Sequence, residues 1–362
     1  MSTSGLARFE VRTFQFARDR VIGDAFVSAD TNHVAALTLW DGDGQSGLGF
    51  FDALFAPLPP RAWLTAHIAA TLWPAMEGRS PEGLLHRVTL PRAGHGTAPP
   101  FGIADALDQA LWDLAAKRAG QPLWRYLGGT SGEAEAYASG LCFHLTDCTA
   151  HDFYKAARTE GHRAYKVKLG DPDLARDLAR LALVRDAVGS DAAVMADANE
   201  AWTPAETRRR CNAFTQAGHS LHWIEDPIAR CDTAGLTMIR ASLGTTLLNA
   251  GEYLGEDGRR SLMAAGAVDI IPVDDNISQA LRIARAAAGH GVAVTVGNTA
   301  MNMGAHLAAA LPHVDRVEDS RLNTSAILAQ PLTVTNGRFH LPDTPGHGLE
   351  LATDADRYAQ EG

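Results

Sequence analysis

The sequence predicts an α/β fold: a closed parallel barrel of βα units preceded by a separate α+β domain. Four polar residues each close a short apolar run, and they are evenly spaced: Lys168, Asp197, Glu225 and Glu252 lie 197−168 = 29, 225−197 = 28 and 252−225 = 27 residues apart. A strand, a loop and a helix together take about 30 residues, so this ladder repeats once per βα unit, at the C-terminal end of each strand. From about residue 136 onward, short apolar runs alternate with helical stretches, and the runs number eight, the strand count of a closed parallel barrel. Before that point there is no such alternation.

Taken in order, ARFEVRTFQF, HVAALTLW and SGLGFF read as strands, with DGDGQSG as the turn joining the last two. Residues 60–77 and 103–119 carry helical periodicity; in the second, Ile103, Ala106, Leu107, Ala110, Leu111 and Leu114 form one apolar stripe that stops near Gly120. The barrel strands are expected in YASGLCF, RAYKVKL, AAVMADA, LHWIED, TTLLNAG, VDIIPVD, VAVTVGN and DRVEDS, with helices such as 174–188, 204–217, 278–289 and 300–310 between them. The tail PLTVTNGRFHLPDTPGHGLEL has strand and turn signals but no βα unit, and is expected to run back to the first domain. The domains therefore read as 1–132, completed by about 330–362, and 133–329.

Composition narrows the function. A chain of 362 residues that is 46% hydrophobic and 20% charged is ordinary for a soluble protein. Its net charge of −10 argues against nucleic acid and anionic membranes as partners. Cys142, Cys148, Cys211 and Cys231 form no CxxC and have no His partners at zinc spacing, which fits buried thiols in a reducing, cytoplasmic compartment. The segment MSTSGLARFEVRTF lacks the apolar core of a signal peptide, and no apolar run reaches the roughly 20 residues of a membrane span.

The chemistry gathers where the strands end. Lys166 and Lys168 lie two apart on one strand and share a face. They read either as two lysines on a solvated edge or as an inward pair in which each cation lowers the other's pKa, making a base at neutral pH. Asp197 and Asn199 form the next face pair, and Glu225 and Glu252 close the following two runs. A single acid after a strand is commonly a helix cap or a rim charge. Three in register imply a shared pocket, and three carboxylates in one pocket require a compensating cation. Oxygen ligands without Cys or His suit Mg²⁺, with Mn²⁺ possible, rather than Zn²⁺. Asp226 and Glu256 fall outside the register and read as structural.

The motifs YKVKLG, MADANEAW, WIEDPI and NAGEYL, with PFGIADALDQALWDLAAKRAGQPLWRYLGG before them, resemble the enolase superfamily and within it the mandelate racemase-like branch. The resemblance covers nearly the whole chain. It implies a (β/α)7β TIM-like barrel under an α+β N-terminal capping domain. It implies that Asp197, Glu225 and Glu252 bind Mg²⁺ and that Lys168 removes the proton α to a carboxylate. By the same resemblance Lys166 binds that carboxylate and tunes Lys168, Asn199 supports metal and substrate, and Glu318 hydrogen-bonds the developing enediolate. A small-molecule carboxylate substrate and a homo-oligomer are implied as well.

The pattern breaks on the opposite face. The branch places a second base there, a His after strand seven backed by an Asp after strand six. Asp274 matches the Asp, with Asp275 as the alternative, but Asn298 stands at the His position. An amide neither accepts nor delivers a proton at neutral pH. His306 lies within the next helix and reads as structural. The muconate-lactonising branch uses a lysine after strand six, and DDNISQALRI has none. This favours one-sided chemistry: dehydration of a hydroxy or sugar acid first, a one-base cycloisomerase or epimerase second. A Schiff-base aldolase built on Lys168 or a non-catalytic binder are more distant readings. His144 reads either as an acid facing Lys168 or as a loop or core histidine. Specificity is expected from loops near 18–32 and 50–58, which contain Arg18, Asp19, Arg20, Asp24, Phe26 and Phe51.

Overall fold

The computed structural model describes residues 4–87, 102–274 and 276–360. Three strands, β1 (Leu6–Gly23), β2 (Ser28–Asp41) and β3 (Ser46–Asp52), form an antiparallel meander. The stretch 18–32, expected as a loop, is the end of β1 and the start of β2. Only the tip turns, because the Asp24 carboxylate accepts from the Phe26 and Val27 amides at 2.8 and 3.2 Å. Strand alternation splits β2: Ala35, Leu37 and Leu39 face the core of the first domain, while Val34 and Ala36 face a core shared with the barrel.

Among the described residues, four α-helices follow: α1 (Arg61–Thr71), α2 (Pro81–Leu84), α3 (Ile103–Arg118) and α4 (Leu123–Tyr126). The predicted apolar stripe of α3 is buried in the first domain's core. The helix presses so closely on β3 that a Cβ at Gly47 or Gly49 would lie 2.0 Å from the Ala110 or Ala106 carbonyl. The remaining face of α3 is also buried and mixes Trp112 and Ala116, in the core shared with the barrel, with polar side chains. Its Gln109 and Asp113 side chains accept from the Phe50 and Leu48 amides, both at 2.9 Å, which fixes helix to sheet.

The barrel runs β4 (Glu133–Ala138), α5 (Asp147–Thr159), β5 (Ala164–Lys168), α6 (Leu174–Val188), β6 (Ala193–Asp197), α7 (Pro204–Gln216), β7 (Trp223–Glu225), α8 (Thr233–Arg240). It continues β8 (Leu247–Asn249), α9 (Glu256–Ala264), β9 (Ile270–Val273), α10 (Ile277–His290), β10 (Ala293–Val296), α11 (Gly304–Ala310) and β11 (Val314–Asp319). The strands pair in sequence order, and β11 pairs with β4 to close the cylinder. Tyr137, Ala164, Met195, Trp223 and Ile270 fill its interior. Several helices start on a side-chain cap: Thr146, Thr203, Asp232 and Asn276 each accept from an amide three residues on.

The tail divides between the two parts. Its hairpin, β12 (Val334–Thr335) and β13 (Arg338–His340), joins the barrel sheet, with β13 antiparallel to β4. The reason is that β11 and β5 reach only the second half of β4, so its first residues present an edge that needs a partner. Beyond the hairpin the chain returns to the first domain: the His347 amide donates to Asp113 at 2.8 Å, and the Gln360 amide to the Thr13 carbonyl at 2.9 Å. The cysteines are all free, but Cys148 and Cys231 are exposed rather than buried. Among the described residues, no helix is long and apolar enough to cross a membrane.

Candidate active site

The strand register lines up one row across the barrel mouth. Lys168 pairs with Asp197, Asp197 with Glu225, and Glu225 with Asn249. Three of these are ladder residues; the fourth is not. β8 ends at Asn249, so Glu252 stands three residues past the strand rather than closing it. The chain reaches it through Gly251 at φ 108, a conformation an L side chain resists. Asn249 was not singled out from the sequence. The signal was there, since it is the polar residue two after inward-facing Leu247 in TTLLNAG.

Both lysines point inward and are buried. The Lys166 ammonium lies 2.9 Å from Glu225 Oε2, 2.9 Å from Glu318 Oε2 and 3.6 Å from Asp197 Oδ2. It also lies 5.6 and 5.9 Å from the ring centres of Tyr137 and Trp223. Lys168 Nζ donates to Asp197 Oδ2 at 2.5 Å and to Asn199 Oδ1 at 2.7 Å. Asn199 reaches back because the backbone turns left-handed after β6, with φ 43 at Asn199 and φ 64 at Glu200. Tyr137, also missed in the sequence, is the inward residue near the end of β4, and its hydroxyl donates to Glu318 Oε2 at 2.9 Å.

Electrostatics at this mouth run short of positive charge. Asp197, Glu225, Glu252 and Glu318 contribute −4 and the two lysines +2, leaving −2 in a buried pocket. Burial, reinforced by Asp197, Glu252 and Glu318, pushes the Glu225 carboxyl well above its ordinary 4.5, against the pull of Lys166. Burial likewise raises Glu252. Burial works against charge on Asp197 too, but Lys168 and Lys166 outweigh it and hold this carboxyl low. Burial pulls the Lys168 ammonium down, yet Asp197 overrides both burial and Lys166, so its pKa is raised. The expected mutual lowering of the two lysines is therefore not what prevails, because each faces more carboxylate than ammonium.

Among the described residues, no three His, Cys, Asp or Glu side chains are already gathered as a metal shell. Asp197, Glu225 and Glu318 turn to the lysines instead. The residues nonetheless fit a hard divalent cation. Lys166 is within 3.6 Å of both Asp197 and Glu225, Glu252 Oε2 is buried without a hydrogen-bond partner, and +2 balances the charge.

The other expected residues scatter. Asp274 is buried and accepts from Arg259 Nη2 at 2.8 Å. Asp275 lies outside the described residues. Asn298 follows β10 and is half-buried. His144 is exposed, and its Nε2 donates to the Val27 carbonyl at 3.1 Å, pinning the first domain's hairpin tip to the loop after β4. His306 is fully buried in α11, and burial holds its pKa down at about 3. Of the expected specificity residues, Phe51 belongs to the first domain's core. Arg18 is buried on Asn32 Oδ1 and the Leu54 carbonyl, and Arg20 spans the carbonyl oxygens of Gly140 and Arg321. With the Gly23 amide on the Leu141 carbonyl at 2.8 Å, Arg20 fastens the hairpin across the ends of β4 and β11. Phe26 at the tip is 67% exposed.

This arrangement has counterparts. The family model for the enolase C-terminal domain-like fold matches residues 149–355. The chain belongs to the enolase superfamily, in its mandelate racemase-like branch. It is 31% identical to 3,6-anhydro-alpha-L-galactonate cycloisomerase of Streptomyces coelicolor, over 72% of this chain and 71% of that one. It is 30% identical to L-talarate/galactarate dehydratase of Salmonella typhimurium, over 70% of this chain and 64% of that one, just under two thirds of that enzyme. A Mesorhizobium loti structure, provisionally assigned as a mandelate racemase, superposes with a TM-score of 0.93 at 41% identity, covering 99% and 95% of the two chains. The Salmonella dehydratase with Mg and L-lyxarohydroxamate superposes at 0.84 and 26%, covering 99% and 94%. Within the superfamily this chain thus resembles both dehydratases and cycloisomerases, and structures of its relatives hold magnesium.

Proposed function

We propose that the chain is a Mg²⁺-dependent dehydratase of a hydroxy or sugar acid, with Lys168 as the base that removes the α-proton. One observation carries this reading: Lys168 is buried and held at a defined place by Asp197 and Asn199, while Asn298, an amide, stands at the sequence position where the family resemblance expects a second base. Asp197, Glu225 and Glu252 would hold the metal. When bound, it supplies the missing +2 charge and stabilises negative charge as the α-carbon is deprotonated.

The chain's own residues do the rest. Lys166 stays an ammonium between Glu225 and Glu318 and offers positive charge to the substrate carboxylate. Asn199 orients Lys168 through the 2.7 Å bond. In the metal-free protein Asp197, against the pull of burial, keeps Lys168 protonated, and committing Asp197 to the metal would release that proton. The neutral amine then takes the α-proton as its C–H bond breaks and delivers it to the departing β-hydroxyl on the same face as the C–O bond breaks, releasing water. Asn298 supplies no proton on the opposite face. The hairpin tip at Asp24–Val27 is fastened by Arg20 and His144 to the loops after β11 and β4.

A cycloisomerase is the second reading. It is favoured by the relative of that activity at 31% identity and needs the same α-proton abstraction. A library of linear and cyclic (anhydro or lactone) acid sugars incubated with Mg²⁺ tests both: dehydration yields an α-keto acid with loss of water, and cycloisomerisation opens or closes a ring with no change of mass. Turnover undiminished by EDTA, or covalent trapping of substrate on Lys168 by borohydride, would overturn the proposal.

A further inference from the structure

Glu252 poses a problem that Asp197 and Glu225 do not. Those two end their strands, and the barrel's hydrogen bonds fix their backbones. Glu252 sits in a loop, three residues beyond β8 and after a glycine in the left-handed region. Its peptide is nevertheless gripped from both sides. On the donor side, the Gly251 and Glu252 amides give hydrogen bonds to the two oxygens of Asp226 at 2.8 and 3.3 Å. On the acceptor side, Arg259 Nε donates to the Gly251 carbonyl at 3.0 Å, and Arg259 Nη2 donates to the Glu252 carbonyl at 2.6 Å. Arg259 belongs to α9 and is 1% exposed. A buried guanidinium is costly unless an anion faces it, and the anion is Asp274, 2.8 Å from the same Nη2.

We infer that Arg259, anchored by Asp274, is the positioning residue that presents Glu252 to the metal. This rests on the metal reading given above. The planar guanidinium suits the task, since Nε and Nη2 reach two successive carbonyls while Nη2 also meets the carboxylate. Asp226 completes the grip through the amides. The consequence reaches the far side of the pocket. Asp274, the acid that the family resemblance would have back a second base, is engaged in holding Arg259, and the residue at that base's position is the amide Asn298. One ion pair thus anchors the arginine that fixes the third carboxylate's peptide.

Mn²⁺ binding followed by electron paramagnetic resonance tests this without any substrate. The variants are Arg259→Lys, Arg259→Met, and the double variant Arg259→Met with Asp274→Asn. The last removes the grip without leaving a buried unpaired charge, so a folded protein is expected, checked by circular dichroism. Loss of a residue that orients a metal ligand weakens affinity about 10- to 100-fold. The double variant should show that loss, and Arg259→Lys, which keeps one donor, should recover part of it. If wild type binds Mn²⁺ and the folded double variant binds within twofold of it, the positioning role is wrong while the metal reading stands. If wild type itself binds none, the metal reading fails and the inference falls with it.

Discussion

Metal affinity should climb with pH, and the charges in the pocket set how steeply. Glu225 and Glu252 both have pKa values raised above their ordinary 4.5, chiefly by burial and then by neighbouring carboxylates. An acid with a raised folded pKa favours its protonated form in the fold. The metal-free protein therefore loses stability as pH rises from the ordinary value through the raised one. On the proposed ligand set, Mg²⁺ would displace those protons. Each displaced proton makes affinity rise about tenfold per pH unit within that window, about 1.4 kcal/mol, and two displaced protons give up to about a hundredfold. Asp197 is lowered, so it is ionised throughout and contributes no slope. Isothermal titration with Mg²⁺ from pH 5 to 8, repeated in buffers of different ionisation enthalpy, counts the protons released. A dissociation constant independent of pH over that range, with no proton release, would refute the charge balance.

Three further outcomes are expected. Lys168→Ala should keep its circular dichroism spectrum and Mg²⁺ binding but lose about 10²–10⁴ in turnover, the usual value of a general base; retention of a tenth of wild-type activity would exclude Lys168 as that base. Asn298→His should not create a full second base, because the charge of Asp274 is already partnered by Arg259 and backs an added imidazole less strongly; proton exchange of both substrate configurations at comparable rates by that variant would show otherwise. Asp108 in α3 is fully buried, accepts from the Ser278 amide and hydroxyl of α10 at 2.8 and 2.5 Å, and is pushed up to about 7 by burial. Its contribution to stability should therefore fade between about pH 4 and pH 7. Asp108→Asn should flatten denaturation midpoints over that range, and an unchanged slope would remove Asp108 as the cause.

Much of the site was legible because a barrel repeats. Lys168, Asp197 and Glu225 could be placed from spacing alone, since each ends a strand and neighbouring strands are paired in register. Glu252 matched the same spacing for another reason: the loop after β8 carries it past the row, and Asn249 takes the in-register place. Periodicity finds strand ends but not the turns beyond them, which depend on Gly251 and on the grip of Asp226 and Arg259. Tyr137 was hidden by a strand assigned too late, at YASGLCF rather than Glu133–Ala138. Arg259 was invisible because a helical arginine usually faces water, and only the fold shows this one turned toward Asp274. The lysine pKa shifts were misread because the sequence shows two neighbouring cations, whereas the fold surrounds them with four carboxylates.

The most direct test of the account is exchange of the substrate's α-hydrogen in D₂O, followed by proton NMR, with Mg²⁺ present and both configurations of each candidate acid supplied separately. One-sided chemistry on Lys168 predicts exchange or turnover for a single configuration, lost in Lys168→Ala and in EDTA. Comparable exchange of both configurations by the wild-type protein would contradict it, and would place a second base on the face now assigned to Asn298.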